Sequence, residues 1–178
     1  ARADFNDDNV IDVTDLQAVS KNYNINGVIP FHNSVEPETN ENNFMQIEAP
    51  TIVEAGQEIA VPIYFENLKD VSGYEVWLNY DVDVLEFDGF DSAIFADMGA
   101  TFMYPIVGNG QVIITETLNG PVRSFAGSEG LLGTAYFTAK EHANLNLQLA
   151  GGKLVNSMFH TDKINVEAPS VVTIDNVA

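Results

Sequence analysis

Cysteine is absent from the chain, so no disulfide framework braces it and the redox compartment is not written in its thiols. Basic residues are scarce, 7 Lys and Arg against 26 Asp and Glu, for a formal charge of −19. Nucleic acid and anionic membrane surfaces both need a positive face, and this balance argues against either as a partner. No run of about 18 apolar residues is long enough to enter a membrane, and no signal-peptide pattern stands at the N-terminus. The missing initiator Met fits the expectation of a processed or excised piece. Histidine is rare as well: His32, His142 and His160 fall in linker or loop sequence without metal-ligand spacing, and each is expected on the solvated surface.

Catalytic patterns are equally thin. Gly127-Ser128-Glu129-Gly130 has the outline of a nucleophile turn but lacks the strand-to-helix context that exposes such a serine. Among so many carboxylates, pairs such as Asp81/Asp83 and Asp88/Asp91 arise by chance and are expected to cap turns. What the chain does have is apolar content, 46% of 178 residues, enough for one medium domain with a small appendage.

Three regions divide it. Residues 1–24 hold an acidic loop and a short amphipathic run, in which Leu16, Val19 and Tyr23 share one helical face. Residues 25–42 are polar and aperiodic, with Pro30 and Pro37, and read as a linker. From residue 43 to 178 short β-type runs alternate with turn residues, a pattern that predicts about nine strands in an all-β sandwich. Within it, Tyr74, Val76, Leu78 and Tyr80 alternate with Glu75, Trp77 and Asn79, so one set points inward and the other outward. Gly108-Asn109-Gly110 marks a tight hairpin, and residues 91–98 hold room for one helical turn.

The acidic loop has a spacing that suits a hard cation. Asp4, Asn6, Asp8, Asp12 and Asp15 stand at positions 1, 3, 5, 9 and 12 of a twelve-residue loop, with the Val10 carbonyl at position 7. Ile11 is the aliphatic anchor, and Asn9 replaces the usual Gly at the sixth position, where a left-handed backbone is needed. Calcium is the expected cofactor; the bland reading is an Asp- and Asn-rich solvated turn.

No entering helix precedes the loop, and its twelfth residue is Asp where an EF-hand has Glu. With Val13-Thr14 before that Asp and a helix after it, residues 4–23 resemble one calcium repeat of a dockerin. Dockerins carry two, so either a twin lies upstream or this is a solitary structural repeat. Residues 43–178 resemble a cohesin domain. The resemblance rests on Glu54-Ala55-Gly56-Gln57-Glu58-Ile59-Ala60-Val61-Pro62-Ile63, on Ser72 to Phe87 with its Tyr80-Asp81 turn, and on Gly130 to Lys140. It implies a nine-stranded jelly-roll or Ig-like β-sandwich, no catalysis, and a scaffolding role in cellulosome-like, scaffoldin-type or cell-surface assembly for polysaccharide degradation.

The resemblance also implies that a dockerin-bearing partner binds the sheet carrying Glu75, Trp77 and Asn79, with Ile113, Thr115 and Thr117 added by the neighbouring strand. An outward Trp among polar side chains has the composition of a binding hot spot, whereas the alternative is a Trp77 covered by a loop or by the N-terminal helix. The calcium motif places the protein outside the cell. Two other functions fit the composition. A carbohydrate-binding sandwich needs a row of exposed aromatics, for which Trp77 and Tyr104 are the candidates; a structural brace would pack Leu16, Val19 and Tyr23 on the sandwich. The repeat of one molecule on the sandwich of another would give self-association.

Overall fold

The computed structural model describes residues 11–21, 42–120 and 124–173. Asp4, Asn6, Asp8, Val10, Tyr23 and the linker up to residue 41 lie outside the described residues. Helix α1 (Val13–Lys21) comes first, followed by strands β1 (Phe44–Ala49), β2 (Ile52–Val53), β3 (Glu58–Tyr80) and β4 (Leu85–Ser92). A one-turn helix α2 (Ile94–Asp97) sits where residues 91–98 left room for it. The remaining strands are β5 (Ala100–Gly108), β6 (Gln111–Leu118), β7 (Phe125–Ala139), β8 (Ala143–Asn144), β9 (Leu147–Asn156), β10 (Thr161–Lys163) and β11 (Val166–Thr173).

The expected all-β sandwich is present, with one difference in its wiring. The runs 58–65 and 74–80, read as two strands, are the halves of the single strand β3. Asn67 and Asp70 have φ of 55° and 48°, and register slips between Leu68 and Val71, so the strand turns a corner without ending. Asn and Asp tolerate the left-handed region better than other side chains, which suits them to this corner. The first half of β3 pairs with β1 and β7, and the second with β6 and β9. Two layers result, β4-β7-β3-β1-β11 and β5-β6-β3-β9-β10, while β2 and β8 form a separate two-stranded ribbon. Likewise 145–149 and 153–155 join in β9 through Gly151-Gly152. The β5–β6 hairpin turns at Asn109 and Gly110, both at positive φ, as a two-residue type I′ loop requires.

Between the layers lies a contiguous apolar core. Tyr74, Val76, Leu78, Val112 and Ile114 meet Ile59, Val61, Ile63, Phe65 and Phe137 there, all nearly inaccessible. The Tyr74 ring packs edge-on to Phe95 of α2 at 5.1 Å. Among the described residues one charged group enters: Glu116, 1% exposed, accepts hydrogen bonds from the hydroxyls of Tyr74 and Ser92. Burial pushes the Glu116 carboxyl above its usual range despite those two donors. Burial, together with the adjacent Glu116 charge, drives the Tyr74 hydroxyl well up. The Ser128 region lies inside β7, with Glu129 opposite Glu66, so no nucleophile turn forms.

Candidate recognition face

Because side chains alternate along a strand, the inward set of β3 fixes an outward set, and the registers of β6 and β9 arrange it in rows. Thr117, Gly73 and Val155 form the first row; Thr115, Glu75 and Lys153 the second. Ile113, Trp77 and Gly151 form the third, and Gln111, Asn79 and Gln148 the fourth. The six residues expected to bind a partner, Glu75, Trp77, Asn79, Ile113, Thr115 and Thr117, therefore share one face.

They are not equally accessible. Helix α1 lies across the first two rows, where Thr117 is fully buried, Thr115 is 4% exposed and Glu75 6%. Trp77, Ile113 and Gln111 are half-buried, and Asn79 and Gln148 are open to solvent. The Trp77 indole N–H donates to Glu75 at 2.6 Å, which fixes the ring between the covered and open halves. Gln111 donates to Asn79 at 2.8 Å in the open row. Among the described outward side chains of β6, β9 and the second half of β3, Trp77 is the only aromatic; Tyr104's side chain lies outside the described set.

Local chemistry explains how α1 starts. Asp12 caps it, accepting the Thr14 N–H at 2.8 Å and the Thr14 hydroxyl at 2.6 Å, while Asp15 reaches back to the Asp12 N–H at 2.9 Å. This is a capping box with Asp in place of Glu. The other Asp12 oxygen receives the Lys153 ammonium from the second row of the face. Burial works to raise the Asp12 carboxyl, but the Lys153 and Thr14 hydrogen bonds outweigh it and hold the group below its usual range.

The helix docks through Val13, Thr14, Gln17, Ala18 and Ser20. This corrects the expectation that Leu16 and Val19 would face the sandwich: Leu16 is half-buried and Val19 is 44% exposed. Gly73 is the reason the fit is close, since a Cβ there would stand 3.2 Å from Val13 Cγ2. Gln17 donates to the Asn156 carbonyl at 2.8 Å, and the Ser20 carbonyl accepts from the Gly120 N–H at 3.2 Å.

The seal is polar and imperfect. Gln17 Oε1 and Ser20 Oγ are buried with no hydrogen-bond partner among the described residues, as is His160 Nε2. His142, by contrast, is a surface residue, 3.0 Å from an exposed Glu54. Burying Val13 gains about 1.5–3 kcal/mol, and each orphaned polar atom costs about 1–3 kcal/mol. The two effects are of similar size. The Asp12–Lys153 pair, with side chains 8% and 29% exposed, adds about 1 kcal/mol at most.

Sequence reasoning missed Lys153, Gly73, Val155 and the glycine pair of β9. At Gly152, with φ of 158°, a Cβ would stand 2.0 Å from the Glu75 carbonyl oxygen, so the backbones of β3 and β9 approach only without a side chain. The Gly-Gly pair was the available signal.

Of the loop expected to hold calcium, Ile11, Asp12 and Asp15 are described, and Ile11, the expected buried anchor, is 64% exposed. Both carboxylates accept hydrogen bonds within the protein here, Asp12 from Thr14 and Lys153 and Asp15 from the Asp12 N–H. Among the described residues no group of three or more His, Cys, Asp or Glu is gathered for a metal. No helix among them is long and apolar enough to cross a membrane.

The cohesin domain model matches residues 44–174, which span both layers of the sandwich. The chain belongs to the cohesin family. Cohesins are non-catalytic recognition domains, in keeping with a face built from rows of side chains. Solved structures carry the same fold at low identity. The second type II cohesin module of the cellulosomal adaptor scaffoldin ScaA from Acetivibrio cellulolyticus is 13% identical with a TM-score of 0.58, covering 74% of this chain and 93% of its own. A cohesin module of a family 33 glycoside hydrolase from Clostridium perfringens is 15% identical with a TM-score of 0.56, covering 70% and 96%. A type II cohesin–X–dockerin complex from Acetivibrio cellulolyticus gives 15% identity and a TM-score of 0.54, covering 69% and 99%. No curated protein matches the chain.

Proposed function

We propose that this cohesin domain recognises a dockerin-bearing protein through the face of β3 and β6, outside the cell, as part of a cellulosome-like or cell-surface assembly. The observation that carries the reading is the shared face: Glu75, Trp77, Asn79, Ile113, Thr115 and Thr117 stand in register across two strands. Trp77 is its energetic centre, oriented by Glu75 and flanked by Ile113 and Gln111. A half-buried aromatic held in place by a hydrogen bond loses little freedom on binding, as hot-spot residues do. The dockerin partner of the Acetivibrio cellulolyticus complex supports the choice of partner class.

The segment before the sandwich is proposed to bind calcium through Asp4, Asn6, Asp8, Asp12, Asp15 and the Val10 carbonyl, and the extracellular setting rests on that motif. Calorimetric titration with purified dockerin modules tests the function. Trp77→Ala is expected to weaken binding about 30-fold, the size of a hot-spot loss. An unchanged affinity would remove Trp77 from the interface, and no binding to any dockerin would refute the partner class.

A further inference from the structure

The covered half of the recognition face has an unusual occupant. A structural brace would be expected to seal with apolar side chains; α1 instead turns Thr14, Gln17 and Ser20 inward beside Val13 and Ala18. Val13, Ala18 and Val155 are buried yet stand outside the main core cluster, so this contact is a separate small patch on the outer side of the sheet. Gln17 Oε1 and Ser20 Oγ are buried without partners there, and the exposed side of α1 carries Val19 at 44% and leaves Leu16 half-covered. Two apolar side chains thus lie on the solvent side of a helix whose sheet side is largely polar. Such a helix is docked but not committed.

We propose that α1 is a displaceable strap: an intramolecular occupant of the first two rows of the face, which an incoming partner helix must lift to reach Glu75, Thr115 and Thr117. This rests on the reading of β3 and β6 as the recognition face. The open rows around Trp77 give a partner its first foothold, and the rows under α1 complete the contact. Gly73 and the polar rows fit one helix at a time, so the strap and a partner compete, and the apparent affinity falls by the fraction of molecules with α1 lifted. Lys153 holds the strap by its N-terminus through Asp12, and loses that hold when α1 leaves.

The test uses the full chain and no dockerin. The probe is a fluorescein-labelled synthetic peptide of residues 1–24 with calcium, titrated into wild type and into Val13→Asp. That change keeps an acceptable residue in the first helical turn but places a charge against Gly73 and Thr117, which undocks the chain's own α1. The peptide is expected to bind Val13→Asp at least tenfold more tightly than wild type, with Val13→Ala between them. A peptide that itself carries Val13→Asp is expected to bind neither. Equal affinity for wild type and Val13→Asp, or binding to neither, overturns the strap. Unchanged circular dichroism and melting of Val13→Asp confirm that the sandwich is intact; if it melts with α1, the helix is part of the fold and the strap is again overturned. Because no dockerin enters, success here alongside silent dockerin titrations would refute the partner class and leave the strap standing.

Discussion

The two sides of the β5-β6-β3-β9-β10 layer show what each kind of burial accomplishes. Its inner side is closed by Tyr74, Val76, Leu78, Val112 and Ile114 against the opposite sheet, and its one carboxyl, Glu116, has two hydroxyl donors. Its outer side is closed by α1 with mixed side chains, one ion pair and unmet polar atoms. Both sides exclude water from their centres, yet the inner one excludes it with dense apolar packing and the outer one with a small apolar patch set among polar side chains. Equal inaccessibility does not mean equal stability. The inner side is the scaffold, and the outer side is where change costs little.

The largest effect that sharpens this contrast is on the inner side. Ile114→Ala removes a fully buried side chain and is expected to cost about 2–5 kcal/mol, read as a lowered midpoint for the whole domain in urea. Val13→Asp removes an equally inaccessible side chain from the outer side. It is expected to free α1, seen as loss of amide protection over residues 17–21, while the main urea transition moves by less than about 1 kcal/mol. A comparable shift in both variants would erase the distinction.

Acid separates the sides by sign. Glu116 has a raised folded pKa, so its ionisation penalises the fold; inner-side stability rises as pH falls through that value toward the ordinary glutamate range. Asp12 has a lowered folded pKa, so its contribution is present above the ordinary aspartate value and is lost as pH falls through the folded one. Acidification below about pH 4 is thus expected to release α1 from a sandwich that stays folded, followed by Trp77 fluorescence for the face and near-UV dichroism for the core. Glu116→Gln is expected to flatten the pH dependence of global stability between neutrality and the ordinary glutamate range; an unchanged slope would assign it elsewhere. The smallest effect is Lys153→Ala, which removes an ion pair worth about 1 kcal/mol or less and is expected to raise the α1 amide exchange rate by a few-fold without moving the melting temperature.

Much of the inner side was legible in the sequence. The alternation from Tyr74 to Leu78 leaves only one inward set, and Asn109-Gly110 allows little but a hairpin, so strand identity and the outward position of Trp77 followed from local rules. The continuity of β3 did not, because the Asn67 to Asp70 segment reads as a break and becomes a corner only when both halves find partners. In β6 the adjacent Ile113 and Ile114 blur the alternation, yet the outward facing that the resemblance implied for Ile113, Thr115 and Thr117 is the one the register with β3 imposes, with Ile114 and Glu116 inward. The docked face of α1 was hidden for a different reason. Apolar spacing pointed to Leu16 and Val19, but the recess at Gly73 and the Asn156 carbonyl select Val13 and Gln17, features supplied by residues far along the chain.

The corner in β3 has a consequence for how the sandwich answers a load. Sheets packed face to face ordinarily resist shear only through their interlocked side chains, but here one unbroken backbone is an interior strand of both, flanked by β1 and β7 before Asn67 and by β6 and β9 after Asp70. Whatever grips Trp77 grips that backbone, and its pull passes through covalent bonds into the far layer instead of through the packed interior. The two left-handed residues at the bend are then the hinge pin of the domain, small polar positions on which the alignment of both layers turns.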